Sequence, residues 1–337
     1  MDDFTNLTLT NEDIFEIICM RLERSNTVPT LFGGGLGKIR PLIRPFLIGD
    51  DFPSIYLEFP LMGAPFLDAT VLYDDIINER RIDSPLAGDC ELLLERFNSF
   101  RRNHADICFG FEIDSANSGS LAAVHFQPFD HLELVGPFLE SIGEASYAGL
   151  YSEFASRSES VWPPSFFGIF RGRSSCPLRV CGYIDKDEFD RICSSASYLR
   201  GVFDKLHFGA YSDEMISQIR EVVDIAPYSV DYQMDIFPDK TIGTTFSLDV
   251  ALPYKPDASI AKLFKRLGIA DNRCDLLEGI VSNFAVPDAV MSGNIGFRRI
   301  QIRPAWLKIR WTDKVLQNAK CYTVVRAFKM TEGTILG

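Results

Sequence analysis

A chain of 337 residues, 46% hydrophobic and 24% charged, can bury a large core, either as one domain of repeated units or as two ordinary ones. A net charge of −12 and a pI near 4.9 exclude the basic stripe that a nucleic-acid partner requires, so any anion site must be local. No apolar run reaches the length of a membrane span, and the acidic start MDDFTNLTLTNEDIF lacks the basic and apolar regions of a signal peptide; a cytoplasmic protein with no membrane partner is the expectation.

A first helix starts after Thr10 or Asn11, with Asp13 in its first turn and Ile14, Ile17, Ile18 and Leu22 on one face, and it ends before Pro29. Leu31 to Lys38, LFGGGLGK, reads as a flexible segment leading into the fold. A P-loop would need glycine at position 32 and Ser or Thr at 39, where Phe32 and Ile39 stand. A strand-turn-strand hairpin follows at 54–60 and 66–73, then helical spacing over Cys90 to Arg102 and a second hairpin at 107–114 and 121–127. His131 to Arg157 is helical and leads to a third hairpin at 164–171 and 177–184. Asp187 to Leu206 and Ser212 to Ile225 lead to a fourth at 229–237 and 243–252, and Ser259 to Phe284 leads to a fifth at 305–311 and 319–327. Both Ser212 to Ile225 and Ser259 to Phe284 are expected to break in two, at glycine or a local kink. The connections Asp114-Ser-Ala-Asn-Ser-Gly-Ser120 and Phe237-Pro-Asp-Lys-Thr-Ile-Gly243 are rich in turn formers, which supports antiparallel pairing within each unit. No low-complexity linker divides the chain, so residues 1–337 are expected to form a single repeated domain, with 1–50 as its N-terminal helix and Gly-rich segment.

In many of these strands one set of alternate residues is apolar and the other polar: Ile55, Leu57 and Phe59 against Ser54, Tyr56 and Glu58; Phe246, Leu248 and Val250 against Thr245, Ser247 and Asp249; Leu307, Ile309 and Trp311 against Trp306, Lys308 and Arg310. Amphipathic helices covering the apolar faces leave the polar faces to water. An open sheet solvated on one side explains that alternation equally well. Ten strands favour closure, because a barrel hides its edges and ten strands leave a lumen wider than their own side chains fill. The expected fold is therefore α+β, a ten-stranded antiparallel β-barrel of repeated αββα units surrounded by helices. Its lumen would be lined by Tyr56, Glu58, Asp68, Thr70, Glu112, His125, Gln127, Arg179, Tyr183, Gln233, Asp235, Ser247, Asp249, Lys308, Arg310, Lys320 and Tyr322.

Eight cysteines, with no C-x-x-C pairing, read as reduced and mostly buried thiols. Four histidines make a multi-histidine metal site unexpected, and no metal ligands are assigned.

Five consecutive αββα units resemble the aromatic prenyltransferases of the ABBA type, whose barrel holds an isoprenyl diphosphate and an aromatic acceptor. Phe52-Pro-Ser-Ile-Tyr-Leu-Glu-Phe59 looks like the first barrel strand of the indole-type members, where a glutamate polarises the acceptor N–H. Trp306-Leu-Lys-Ile-Arg-Trp311 followed by Ala319-Lys-Cys-Tyr322 looks like their last hairpin, whose Lys-x-Tyr pair serves the diphosphate site and its tyrosine shield. The chain departs from the pattern in hairpin two, where Ala123-Val-His125-Phe-Gln-Pro128 has no lysine and carries histidine in place of tyrosine. It departs again in hairpin four, where Thr244-Thr-Phe-Ser-Leu-Asp249 has no basic residue. Asp74-Asp75-Ile-Ile-Asn78 is similar to the aspartate-rich motif of helical isoprenoid synthases but lacks the closing aspartate and reads as surface charge.

The resemblance implies a transferase moving an isoprenyl group from a diphosphate donor to an aromatic small molecule or peptide side chain. Ionising an allylic diphosphate needs cationic donors for the leaving group and aromatic faces for the carbocation. Arg179, Lys308, Arg310 and Lys320 are the candidate donors, Tyr56, Tyr183 and Tyr322 the candidate shield, and Glu58 or His125 the candidate proton acceptor. No cofactor is required, and Mg²⁺ is at most an assistant where lumenal carboxylates would repel the leaving group. The same cations would serve equally as partners of Glu112, Asp235 and Asp249. Two further functions therefore stay open: a peptide-modifying or cyclising enzyme using acid-base chemistry without a prenyl donor, and a noncatalytic barrel that binds a peptide or lipid.

Overall fold

The structure, a computed structural model, describes residues 8–74, 87–104, 106–116, 121–129, 131–170, 175–255, 258–291 and 294–330. Its strands are β1 (Ser54–Pro60), β2 (Asp68–Tyr73), β3 (Cys108–Ile113), β4 (Ala123–Gln127), β5 (Phe166–Ile169), β6 (Leu178–Ile184), β7 (Val230–Ile236), β8 (Ile242–Ala251), β9 (Ser282–Met291), β10 (Asn294–Thr312), β11 (Val315–Leu316) and β12 (Lys320–Met330). Each strand from β1 to β8 pairs antiparallel with the next. β8 then pairs with β10, β10 with β12, and β12 with β1, so these ten strands close a barrel. All five expected hairpins are present, and the open-sheet alternative is excluded by the β8–β10 and β1–β12 seams.

The helices are α1 (Asn11–Glu23), α2 (Val28–Phe32), α3 (Gly35–Ile43), α4 (Ala87–Arg101), α5 (Val135–Ser141), α6 (Ala145–Ser158), α7 (Lys186–Ser194), α8 (Ala196–Lys205), α9 (Asp213–Ile225) and α10 (Ala258–Arg266). They lie outside the barrel, and the hydrophobic core is the annulus between them and the strands. Ile55, Leu57, Phe59, Phe246, Leu248, Val250, Leu307, Ile309 and Trp311 are all buried there, packed with the apolar stripes of the helices. Phe138 of α5 stacks on Phe126 of β4 with centroids 4.0 Å apart, and the Trp311 indole N–H donates to Gln218 Oε1 of α9 at 2.8 Å. Thr10 and Asp13 form a reciprocal cap that fixes the start of α1.

Three sequence expectations are corrected. The Gly-rich segment is not flexible but a packed helix corner: α2 ends at Phe32, the chain turns at Gly33 with φ +54°, and α3 begins at Gly35. A Cβ at Gly35 would lie 2.5 Å from that of Leu67, and Phe32 packs on Phe59, so glycine is needed there for close approach to the first hairpin. The stretch 212–225 is one unbroken helix, capped by Ser212. The stretch 259–284 does break, after α10 at Gly268 with φ +71°, and continues as a 3₁₀ segment (Asn272–Ile280), but its last residues already belong to β9. Residues 75–78 of the aspartate run, 117–120 of the second connection and Arg171 lie outside the described residues.

β10 was legible only in its second half. Its first half, Phe297–Ile302, pairs with β9 on one side and β12 on the other, forming a sheet that overhangs the barrel. Beyond a bulge at Pro304–Trp306 the same strand pairs with β8. Proline has no N–H to give to a ladder, so it sits where the partner changes.

Candidate functional site

Residues two apart on each barrel strand share a face, and the polar face is the lumenal one. The lumen has two halves. A narrow cavity of about 180 Å³ is lined by Glu58, Asp68, Glu112, Asp114, Ala122, Arg179, Lys308, Arg310, Lys320 and Tyr322. A wider chamber of about 410 Å³ adds, among others, Tyr56, His125, Gln127, Phe166, Tyr183, Asp231, Trp306 and Arg326, and shares Glu112, Arg179, Lys308 and Tyr322 with the first. All nine residues singled out from the sequence, Glu58, His125, Tyr56, Arg179, Tyr183, Lys308, Arg310, Lys320 and Tyr322, therefore line one or both cavities.

Strand register explains the grouping. Glu58 on β1 stands opposite Tyr322 on β12 and Asp68 on β2, and Lys320 lies two residues from Tyr322 on the same face. Lys320 Nζ donates to Glu58 Oε1, and its ammonium lies 5.0 Å from the centroid of Phe66. Burial favours the neutral Glu58, but Lys320 outweighs it and holds the carboxyl below the ordinary range. On β6, Arg179 donates from Nε and Nη2 to both oxygens of the facing Asp235 at 2.7 and 3.0 Å, with its guanidinium 4.1 Å from the Phe170 ring. Burial opposes that charge, yet Asp235 fixes Arg179 as a cation.

Lys308 is buried at the boundary between the two halves. Its Nζ donates to Gln233 Oε1 at 2.6 Å and to Tyr322 Oη at 3.3 Å, and stands 3.9 Å from Asp249 Oδ1. Gln233 in turn donates to Asp249 Oδ2 at 2.5 Å. Burial, aided by the neighbouring Arg179 and Arg310 and opposed by Asp249, pushes Lys308 down to about 8. His125 Nε2 and Glu112 Oε2 are 3.2 Å apart. Burial would raise Glu112, but His125, Arg179 and Lys308 bring it down to about 2. Asp68 goes the other way: burial lifts it to about 6 despite the Ser115 backbone N–H. Arg310 makes no ion pair among the described residues and has a buried Nε without a partner.

The lumen thus carries a band of cations interleaved with carboxylates, next to a chamber with aromatic walls. Among the described residues no group of three or more His, Cys, Asp or Glu side chains is placed to hold a metal ion.

No family model matches the chain, and no curated protein matches it in sequence. Solved structures do match. The NotF prenyltransferase corresponds over 97% of this chain and 98% of its own, with a TM-score of 0.51 and 10% sequence identity. The two chains share one barrel fold. The 5-dimethylallyltryptophan synthase from Streptomyces coelicolor (TM-score 0.48, 10% identity, 98% and 100% of the two chains) and PriB in a binary complex with product diphosphate (TM-score 0.48, 12% identity, 94% and 96%) are also similar. Identity this low makes the likeness to NotF one of fold, the ABBA barrel expected from the αββα rhythm. No helix among the described residues is long and apolar enough to cross a membrane.

Sequence reasoning missed Asp231 and Arg326 as lumenal residues, although both were findable. Asp231 is two residues from Gln233 on β7, and Arg326 is four from Tyr322 on β12, where Nη2 donates to Tyr56 Oη at 3.1 Å. Phe170 falls inside the strand expected over 164–171 but was not singled out; it follows the last residue of β5, and Arg179 lies over its ring.

Proposed function

We propose that the chain transfers an isoprenyl group from an allylic diphosphate to an aromatic acceptor, a small molecule or a peptide side chain, inside the barrel. The observation that carries this is the convergence of Arg179, Lys308, Arg310 and Lys320 with Tyr322 on the narrow half of the lumen, beside a wider chamber walled by Tyr56, Phe166, Tyr183 and Trp306. The fold shared with the NotF prenyltransferase supports it. In this reading the donor C–O bond breaks with both electrons leaving on the diphosphate, whose charge the four cations take up. Aromatic faces shelter the allylic cation until the acceptor ring bonds to it and gives up a proton. Glu58 orients the acceptor N–H. Drawing Lys320 toward the diphosphate removes the charge that holds Glu58 low, so donor binding makes Glu58 a better proton acceptor. His125, backed by Glu112, is the second candidate for the proton. Among the described residues no cluster is placed to hold a resident metal, so Mg²⁺ is assigned at most to the diphosphate itself, and no step is routed through it.

A second reading, acid-base chemistry on a peptide or small molecule without a diphosphate, is favoured by one observation: three of the four cations already face a carboxylate, Arg179 with Asp235, Lys308 with Asp249 and Lys320 with Glu58. Calorimetric titration with dimethylallyl, geranyl and farnesyl diphosphates, with inorganic pyrophosphate as control, decides between them. Chain-length-dependent binding that falls at least about tenfold in Lys320→Ala, the cost of removing one charge-assisted hydrogen bond, supports transfer. Absence of binding by all four ligands removes the transferase reading and leaves the second.

A further inference from the structure

On the wide side of the lumen, Asp231 of β7 has Tyr183 of β6 opposite it on one side and Asp249 of β8 opposite it on the other. Asp231 is only 6% exposed, it lines the chamber, and its Oδ1 accepts from no donor among the described residues. A buried carboxyl without a partner costs free energy, and two carboxyls directly opposite on neighbouring strands add repulsion. The nearest compensating cation, Lys308, stands 3.9 Å from Asp249 Oδ1 and spends its hydrogen bonds on Gln233 and Tyr322. Asp249 also feels Arg179 and Arg310, whereas Lys308 is the one cation that acts on Asp231; the Asp231 side of the wall therefore holds an acid with no cation of its own, and it faces aromatic rings from Tyr183, Phe166 and Trp306. Excess acid beside aromatic faces is the complement of an organic cation.

We propose that Asp231, with Asp249 beside it, recognises a protonated primary or secondary amine on the molecule that occupies the wide chamber. The inference deepens the transferase reading by naming the acceptor as an aromatic amine-bearing compound, and it rests on that reading only for the acceptor role. The ammonium settles against Asp231 Oδ1, its methylenes lie along Tyr183, and the aromatic body extends toward the cation band where the donor would lie. The titratable groups facing Asp231 are Tyr183 and Cys181 on β6, Asp249 on β8 and Lys308 on β10. Burial first, and Asp249 second, raise the Asp231 pKa well above the usual carboxylate range. An ammonium bound there lowers that pKa, so binding favours release of a proton to solvent with Asp231 as the counter-ion.

The test compares tryptamine with its neutral counterpart tryptophol by calorimetry, without any diphosphate, in two buffers of different ionisation enthalpy, on the wild-type protein and Asp231→Asn. The wild type should prefer tryptamine by at least about tenfold and release protons on binding it. In Asp231→Asn both the preference and the proton release should vanish, while pyrophosphate affinity stays unchanged. Equal wild-type affinities, no binding of tryptamine, or a preference that survives in Asp231→Asn would each overturn the assignment and leave the two carboxyls as a pair sharing a proton. Because the wild-type comparison needs no variant, a folding defect in Asp231→Asn does not shield the proposal. An Asp231-dependent amine preference in a protein that binds none of the diphosphates would uphold the amine site and sink the transferase reading instead.

Discussion

Lys308 shows how a single side chain links the two halves of the lumen. It is buried, hydrogen-bonded to Gln233 and Tyr322, and poised near pH 8 because burial works against the charge that Asp249 favours. Below that value the ammonium is present to meet a diphosphate; above it the amine is neutral and the site loses one of its four cations. Binding of an anion that raises the Lys308 pKa is therefore coupled at higher pH to uptake of a proton from solvent, and affinity falls as pH rises through about 8. Dimethylallyl diphosphate affinity should drop by up to about tenfold per pH unit above this point, with proton uptake appearing in the binding heat. Lys308→Arg, whose guanidinium does not titrate in this range, should flatten the profile. Isothermal titration from about pH 7 to pH 10 checks both, and a wild-type affinity independent of pH would remove Lys308 from the donor site.

At the level of elements, β4 and β5 show a strand shaped to its neighbour. Gly168 of β5 is the cross-strand partner of His125, and a Cβ there would lie 2.7 Å from Nδ1 and 3.0 Å from Cε1 of the imidazole. Gly168→Ala should therefore displace the His125 ring, cost about 1–3 kcal/mol through overpacking and release Glu112 from the partner that brings it down to about 2. Carboxyl chemical shifts followed against pH would show the Glu112 midpoint rising; an unmoved midpoint would mean that His125 has room to adjust. The purpose of Gly168 was not visible in the sequence, because a lumenal glycine breaks the alternation rather than marking a site. The hairpins themselves were legible, since period-two apolar sets such as Ile55, Leu57 and Phe59 bounded by turn formers have no helical equivalent. β9 and the first half of β10 were not: Pro287 and Pro304 interrupt them and Arg298, Arg299 and Arg303 blur the alternation, which survives because this sheet lies outside the barrel. The Gly-rich corner misled in the opposite sense, as its glycines serve close packing on Leu67 rather than mobility. For the lumen, facing was legible but pairing was not; that Arg179 meets Asp235 and Lys320 meets Glu58 depends on which strands become neighbours.

For the molecule as a whole, the barrel stands on the two seams that close it. At the β8–β10 seam Phe246 faces Trp311, ring centroids 6.1 Å apart, beneath Phe203 and Phe208. Phe246→Ala should cost about 3–5 kcal/mol, measured by urea unfolding with lumenal ligand binding as a second probe; a loss below about 1 kcal/mol would mean the seam is held by its ladder alone. At the other seam Tyr56 and Arg326 are 270 residues apart in sequence and hydrogen-bonded across β1 and β12. Contacts that distant form late, because the loop they close is nearly the whole chain. The lumen becomes a compartment only when its last stave is laid. Any ligand that touches Glu58 and Tyr322 together bridges the two ends of that loop, and so acts as a clasp on the folded state. Saturating ligand at about 100 times its Kd would add about 2.7 kcal/mol to the stability of the closed barrel. The chain would then be hardest to unfold, and slowest to be degraded, while its ligand is abundant.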